Sequence, residues 1–165
     1  MVETTLSGAS HHILTNDYAS EWMGIEVLKL DDGHATIRMH LRQEMLNGFG
    51  MAHGGMIFAF GDTAFALACN PASPTPEQAA NITVASGVDI NFIKPAFQGQ
   101  VVTAVANRRA STGRSGLYDI QIYAASPDAD SNPTDPAVSD PAVSDPASGE
   151  LIAEFRGRSR TISKK

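Results

Sequence analysis

A chain of 165 residues with 42% hydrophobic side chains has the size and apolar content of one compact domain, which excludes global disorder. Its formal net charge is −6, but residues 126–150 hold six acids and neither lysine nor arginine, so the remainder balances at 12 acids and 12 bases. That balance argues against a nucleic-acid binder, while nine of the bases lie at or after Lys94 and leave room for an anionic ligand there.

In chain order, residues 10–22 carry a weak, polar helix signal. Residues 24–30 and 34–41 read as a hairpin turning at Asp31-Asp32-Gly33. The run GGMIFAFGDTAFALACN, about 54–70, is different: Met56, Ile57, Phe58, Phe60, Phe65 and Leu67 point all round a helix, with small residues between them. A helix apolar on every side is expected to be buried, and this one would be roughly 25 Å long. Residues 81–93 and 101–110 are rich in β-branched residues and bounded by breakers, so both read as strands. Residues 117–123 alternate, with Tyr118, Ile120 and Ile122 on one face and Asp119, Gln121 and Tyr123 on the other.

Residues 126–149 repeat Asp-Pro-Ala-Val-Ser from Asp135 and Asp140 and begin it again at Asp145. Proline at every fifth position blocks regular ladders, and few large apolar groups offset the ordering entropy. The segment reads as a solvated, disordered loop rather than a partner-binding repeat, and is too short and polar for a stacking solenoid. Residues 150–162 form the last strand, so the loop is a long hairpin connection. A weak helix, two strands, one buried helix and four strands fit a single α+β domain over 1–165: the hotdog fold, an antiparallel sheet wrapped around one long central helix.

Asp62 stands in the middle of that helix. An unpartnered buried carboxylate is costly or is driven to protonate, and aspartate is a poor helix-interior residue. Cost on both counts points to a working group, against the bland alternative of a structural pair. His53-Gly54-Gly55 precedes the helix, and two glycines at a helix start leave backbone N–H groups approachable where the helix dipole is positive. Such a terminus can hold a developing oxyanion, or the glycines can simply ease the chain into a crowded turn. The His11-His12 pair sits in a polar segment and is expected to be solvated. No His/Cys/Asp/Glu spacing suggests a metal site, no G-x-S-x-G elbow exists, and no nucleotide-binding glycine pattern appears. Cys69, the single cysteine, excludes an internal disulfide and reads as a small hydrophobe. The first residues, MVETTLSGASHH, lack a signal-peptide pattern, and no apolar run reaches a membrane span. A cytoplasmic protein with no membrane partner is the expectation.

The stretch LNGFGMAHGGMIFAFGDTAFALACN, residues 46–70, resembles the phenylacetic acid degradation thioesterase family. The match carries Asn47-Gly48, His53-Gly54-Gly55 and the string from Asp62 to Asn70. It continues in VDINFIKP (88–95), GLYDI (116–120) and FRGRS (155–159), and it breaks at 71–80, an apparent inserted loop, and at 126–149. Gly61 stands where the family has alanine, and Phe49 where some relatives are polar. The resemblance implies hydrolysis of an aryl or related acyl-CoA with no metal and no bound cofactor, CoA being part of the substrate. It implies Asp62 as general base or nucleophile, and the Gly54 N–H, beside Gly55, as the group polarising the thioester carbonyl. Asn47 and Thr63 would orient substrate or water, with His53 and Phe49 shaping the pocket. Lys94, Arg114, Ser115 and Gly116 are candidates for the CoA moiety. Arg156, Arg158 and Arg160 alternate onto one strand face, most simply a solvated one.

Eight residues separate Gly54 from Asp62, roughly 12 Å along a helix. One chain therefore cannot bring both to one carbonyl, and a two-fold homodimer with shared sites, alone or within a tetramer, is expected. Two rivals stay open: a hydratase or dehydratase of the same fold using His53 with Asp62, and a non-catalytic acyl-CoA sensor.

Overall fold

The computed structural model describes residues 10–126 and 148–164. The repeat segment thus lies, except for its ends, outside the described residues. The weak N-terminal helix signal resolves into a 3₁₀ turn, His12–Leu14, and a short helix α1, Tyr18–Met23, because Asn16 takes φ +62° between them. Then follow β1 (Glu26–Asp31), β2 (His34–His40), α2 (Gly54–Cys69), α3 (Pro76–Ala79), β3 (Asn81–Phe92), β4 (Val101–Thr112), β5 (Ser115–Ala125) and β6 (Glu150–Ser163).

The strands form one six-stranded sheet in the order β1-β2-β4-β5-β6-β3, every neighbouring pair antiparallel. The β1–β2 hairpin turns where expected, with Gly33 at φ +71°. The ends of the long hairpin also meet: Ala124 pairs with Glu150 and Tyr123 with Leu151. Alternation along each strand sends Ala35, Ile37 and Met39, Val102, Ala104 and Ala106, and Tyr118, Ile120 and Ile122 into the core. The alternating arginines face solvent, where Arg156 pairs with Asp119 and Arg158 with Asp89.

The sheet curls round α2, and two glycines set the depth of that embrace. A Cβ on Gly157 would meet the Phe65 ring at 2.8 Å, and one on Gly61 would meet Phe155 at 3.0 Å and Ile122 at 3.1 Å. Helix and sheet therefore touch where alanine would hold them apart. Contrary to the sequence expectation, α2 is not buried all round. Ile57, Phe60, Gly61, Ala64, Phe65, Leu67 and Ala68 are buried, but Gly55 and Phe58 are exposed and Ala59, Asp62, Ala66 and Cys69 only half-buried. Their spacing of three and four residues makes one stripe. A single curved sheet covers one side of a helix, and here the other side is almost as apolar.

The apparent inserted loop contains α3, which is capped by Thr75 and Gln78 in a reciprocal capping box with Pro76 in its first turn. The Thr-Pro-Glu-Gln string was a readable start signal.

Candidate active site

At the start of α2 the free N–H groups of the first turn need acceptors from outside the helix ladder. His53 is the N-cap, in extended conformation, and its Nδ1 accepts from Gly55 N–H at 2.9 Å. The His53 carbonyl accepts from Met56 N–H at 2.8 Å and Ile57 N–H at 3.2 Å. Among the described residues, only the Gly54 N–H of this turn finds no acceptor. Gly54 lines a cleft of about 360 Å³ whose walls also include Met51, Phe92, Lys94 and Ile152. The Phe92 ring lies so near that a Cβ on Gly54 would stand 3.3 Å from it. A bare, dipole-assisted N–H on a residue that lines a cleft is the chemistry of an oxyanion donor.

Asp62 lies two turns further along the unbroken helix, on the uncovered stripe, and no hydrogen bond or ion pair reaches its carboxylate among the described residues. Burial pushes its pKa above the usual carboxylate value. The helix thus places a basic, unpaired carboxylate on a face that one chain leaves open. Cys69 sits on the same stripe. Burial, aided by the Asp62 charge, pushes its thiol up to about 12, so it behaves as the inert small group expected.

The remaining candidates fall into three places. Asn47 builds the loop before the helix: its Oδ1 accepts from Phe49 N–H at 2.9 Å and Met51 N–H at 3.3 Å, and Gly50 closes the turn at φ +76°. Phe49 is thereby held out at 86% exposure. Lys94 shares the Gly54 cleft but is ion-paired to Glu150, a partner the sequence reading missed because 56 residues separate them. Ser115 and Gly116 line a different cleft, of about 330 Å³, with Ser86 and Arg158, and Arg114 donates from Nε to the Thr161 carbonyl at 2.9 Å. Within one chain these three residues do not join the Gly54 cleft.

Thr63, the next residue after Asp62, hydrogen-bonds through Oγ1 to Ser20 Oγ on α1 at 3.3 Å. Asn70, whose role the sequence left blank, ties the helix end to β3: its Nδ2 donates to the carbonyls of Ala66 and Thr83, and its Oδ1 accepts from Thr83 N–H. The expectation that His11 is solvated is wrong. It is 5% exposed, its Nε2 donating to the Asn70 carbonyl at 3.0 Å and its Nδ1 accepting from Ile13 N–H. Two satisfied ring nitrogens let a histidine enter the core, and His12 beside it remains exposed.

A cavity of about 490 Å³ lies at the other end of α2 among His11, Cys69, Asn70 and Arg108. None of the chemical candidates lines it. Its charged groups are spoken for, Arg108 by a two-pronged bond to Asp32 and His11 by Asn70, so size alone does not make it the reaction site. Among the described residues no cluster of His, Cys, Asp and Glu is arranged to hold a metal, and no helix is long and apolar enough to cross a membrane.

Known proteins share this fold. The Thioesterase superfamily profile matches residues 49–129. The chain is 37% identical to the acyl-coenzyme A thioesterase PaaI of Escherichia coli (strain K12) over 113 residues, 68% of this chain and 76% of that protein. The structure of the E. coli PaaI protein from the phenylacetic acid degradation operon matches with a TM-score of 0.71 at 31% identity, covering 93% of this chain and 90% of that one. A mutant structure of the phenylacetic acid degradation protein PaaI from Thermus thermophilus matches with a TM-score of 0.66 at 26% identity, over 87% and 98% of the two chains. An unpaired helix carboxylate, an uncapped glycine N–H and a sheet wrapped round the helix that bears both are thus set in a chain that belongs to the phenylacetic acid degradation family of the thioesterase superfamily, the hotdog-fold acyl-CoA thioesterases.

Proposed function

We propose that the substrate is an aryl acyl-CoA, phenylacetyl-CoA or a hydroxylated form of it, hydrolysed to the free acid and CoA in a homodimer whose subunits share each site. The observation that carries this reading is the unbroken α2. Gly54 and Asp62 stand roughly 12 Å apart along its axis, yet a donor and a base acting on one carbonyl must both lie within about 3 Å of the reacting atoms. A two-fold axis beside the helix brings Gly54 of one subunit to Asp62 of the other, twice. The uncovered stripe of Gly55, Phe58, Ala59, Asp62 and Ala66 supports this, because a second copy would bury it. So does β3, a twelve-residue edge strand with Val84 and Phe92 exposed.

In the reaction, water adds its oxygen to the thioester carbon and gives a proton to Asp62. The Gly54 N–H holds the oxyanion, and collapse breaks the C–S bond. The departing CoA thiolate takes the proton back from Asp62, leaving acid and thiol. His53 shapes the pocket: its lone-pair nitrogen is committed to the helix cap, so it is not free to shuttle a proton as a hydratase would require. Lys94 in the Gly54 cleft, with Arg114, Ser115 and Gly116, is assigned to the CoA moiety.

The test is mass-spectrometric detection of free CoA from phenylacetyl-CoA. Release matched by free acid, lowered at least about a hundredfold in Asp62→Asn, is expected. Water added without thiol release would make the protein a hydratase, and binding with neither change a sensor. Wild-type turnover in Asp62→Asn would remove Asp62 from the mechanism.

A further inference from the structure

Ser20, on α1, is 1% exposed, and its hydroxyl has two partners. Its Oγ lies 2.7 Å from Asp17 Oδ2 and 3.3 Å from Thr63 Oγ1, while Asp17 Oδ1 accepts the Ser20 N–H at 3.1 Å as the helix N-cap. Counting protons fixes the direction of this chain. An aspartate carboxylate only accepts, and a serine hydroxyl has one proton. The shorter, charge-assisted contact takes it, so Ser20 donates to Asp17. The Ser20–Thr63 bond can then run only one way: Thr63 donates to Ser20.

Thr63 follows Asp62 directly. With its proton committed to Ser20, its oxygen offers only lone pairs to any further partner. We propose that Asp17 and Ser20 are positioning residues that hold the Thr63 hydroxyl as an obligate acceptor, so that Thr63 and Asp62 together accept hydrogen bonds from both O–H groups of the attacking water. A water that donates to two protein acceptors presents its own lone pair outward, toward the thioester carbon. The relay thereby favours the general-base route over direct attack by Asp62, and it rests on the function proposed above. In the reacting water one O–H bond breaks as its oxygen bonds to carbon, and that proton goes to Asp62. The proton facing Thr63 stays on the oxygen and leaves with the acid.

An isosteric change reverses the relay. Asp17→Asn keeps the capping oxygen, and asparagine caps as well as aspartate. Its NH₂ replaces Oδ2 and must donate to Ser20. Ser20 then donates to Thr63, whose proton turns outward toward the water. The variant is expected to lose kcat roughly tenfold, less than the hundredfold that a 1 Å misplacement can cost, with KM and Tm unchanged. In a Thr63→Val background, which has no hydroxyl to orient, Asp17→Asn should have no further effect on kcat. Ser20→Ala removes the middle oxygen and should mimic Asp17→Asn in both backgrounds, so a folding defect in one variant still leaves the other as a test. An undiminished kcat in Asp17→Asn, or an equal loss with and without the Thr63 hydroxyl, overturns the relay. Loss of turnover in Asp62→Asn alongside such a result confines the failure to the relay, whereas wild-type turnover in Asp62→Asn brings down the function it serves.

Discussion

Gly61→Ala inserts one methyl group between the helix and the sheet, one residue from Asp62. In isolation alanine is the better helix residue by about 1 kcal/mol. The new Cβ, however, would stand 3.0 Å from Phe155 Cδ2 and 3.1 Å from Ile122 Cδ1, well inside the ~3.5–4.0 Å of favourable carbon contact. Neither neighbour has room to retreat. Ile122 is fully buried, and the Phe155 ring is flanked by Phe58 and Phe65 at centroid distances of 5.5 and 6.2 Å. Overpacking of this kind costs ~1–3 kcal/mol, which outweighs the propensity gain and leaves a net loss of about 1 kcal/mol. For a domain of this size that is ~2–4 °C in Tm, read by thermal unfolding at fixed protein concentration. In a Phe155→Leu background the clash should be relieved and the same substitution become neutral or stabilising, a coupling of about 1 kcal/mol in the double-mutant cycle. A rise in Tm on Gly61→Ala in the wild-type background would refute the packing argument.

Burial holds the His11 pKa below its ordinary 6.5, with the neighbouring His12 adding and the Asn70 carbonyl opposing. The unfolded chain therefore binds more protons, and stability that is full above 6.5 falls as the pH drops below it. The Tm difference between wild type and His11→Gln should shift against wild type from about pH 7.5 to about 5.5, and a pH-independent difference would contradict it. Glu150 neutralises Lys94 in an exposed pair, so Glu150→Gln should lower KM for an acyl-CoA by no more than about fivefold. It should leave the KM of an acyl-pantetheine, which lacks the nucleotide phosphates, unchanged; equal effects on both would remove Lys94 from phosphate binding. Because Ala124 and Glu150 are paired neighbours, replacing 127–148 by a short turn should preserve soluble yield and turnover, loop length being a small entropic matter. Loss of either would show that the repeat packs on the domain or on a partner.

What could be read from the sequence were features that repeat at a fixed period or sit in one short string. Alternation marked β5, the Asp31-Asp32-Gly33 turn marked the β1–β2 hairpin, and β-branched runs bounded by breakers marked β3 and β4. The strands extend by a residue or a few beyond the sequence bounds in places such as Ser115–Ala125, because terminal residues pair without adding to the inward pattern. The GGMIFAFGDTAFALACN string gave the helix, which lies within the Thioesterase superfamily match. Its uncovered face was misread because periodicity reports only that residues are apolar, not which molecule covers them. His11 was misplaced and Ser20 passed over for a related reason: their partners Asn70 and Thr63 are 59 and 43 residues away, and a polar residue looks solvated until its partner is found. The His53 cap is a local bond two residues long and was in principle visible. The division of the CoA candidates between separate clefts was not, since it depends on how the strand ends are placed in space.

The central claim is that each site needs Gly54 of one subunit and Asp62 of the other, and mixing two dead variants tests it most directly. Asp62→Ala removes the base. Gly54→Pro removes the N–H at a first-turn position where proline is tolerated, after a His53 already in the extended conformation that proline requires of its predecessor. Each variant alone should be inactive. Co-refolded in equal amounts, half the dimers are mixed and each mixed dimer holds one intact site, so thiol release should return to about a quarter of wild type. A mixture that stays dead while mixed dimers are shown to form, for example by native mass spectrometry, would contradict the shared site.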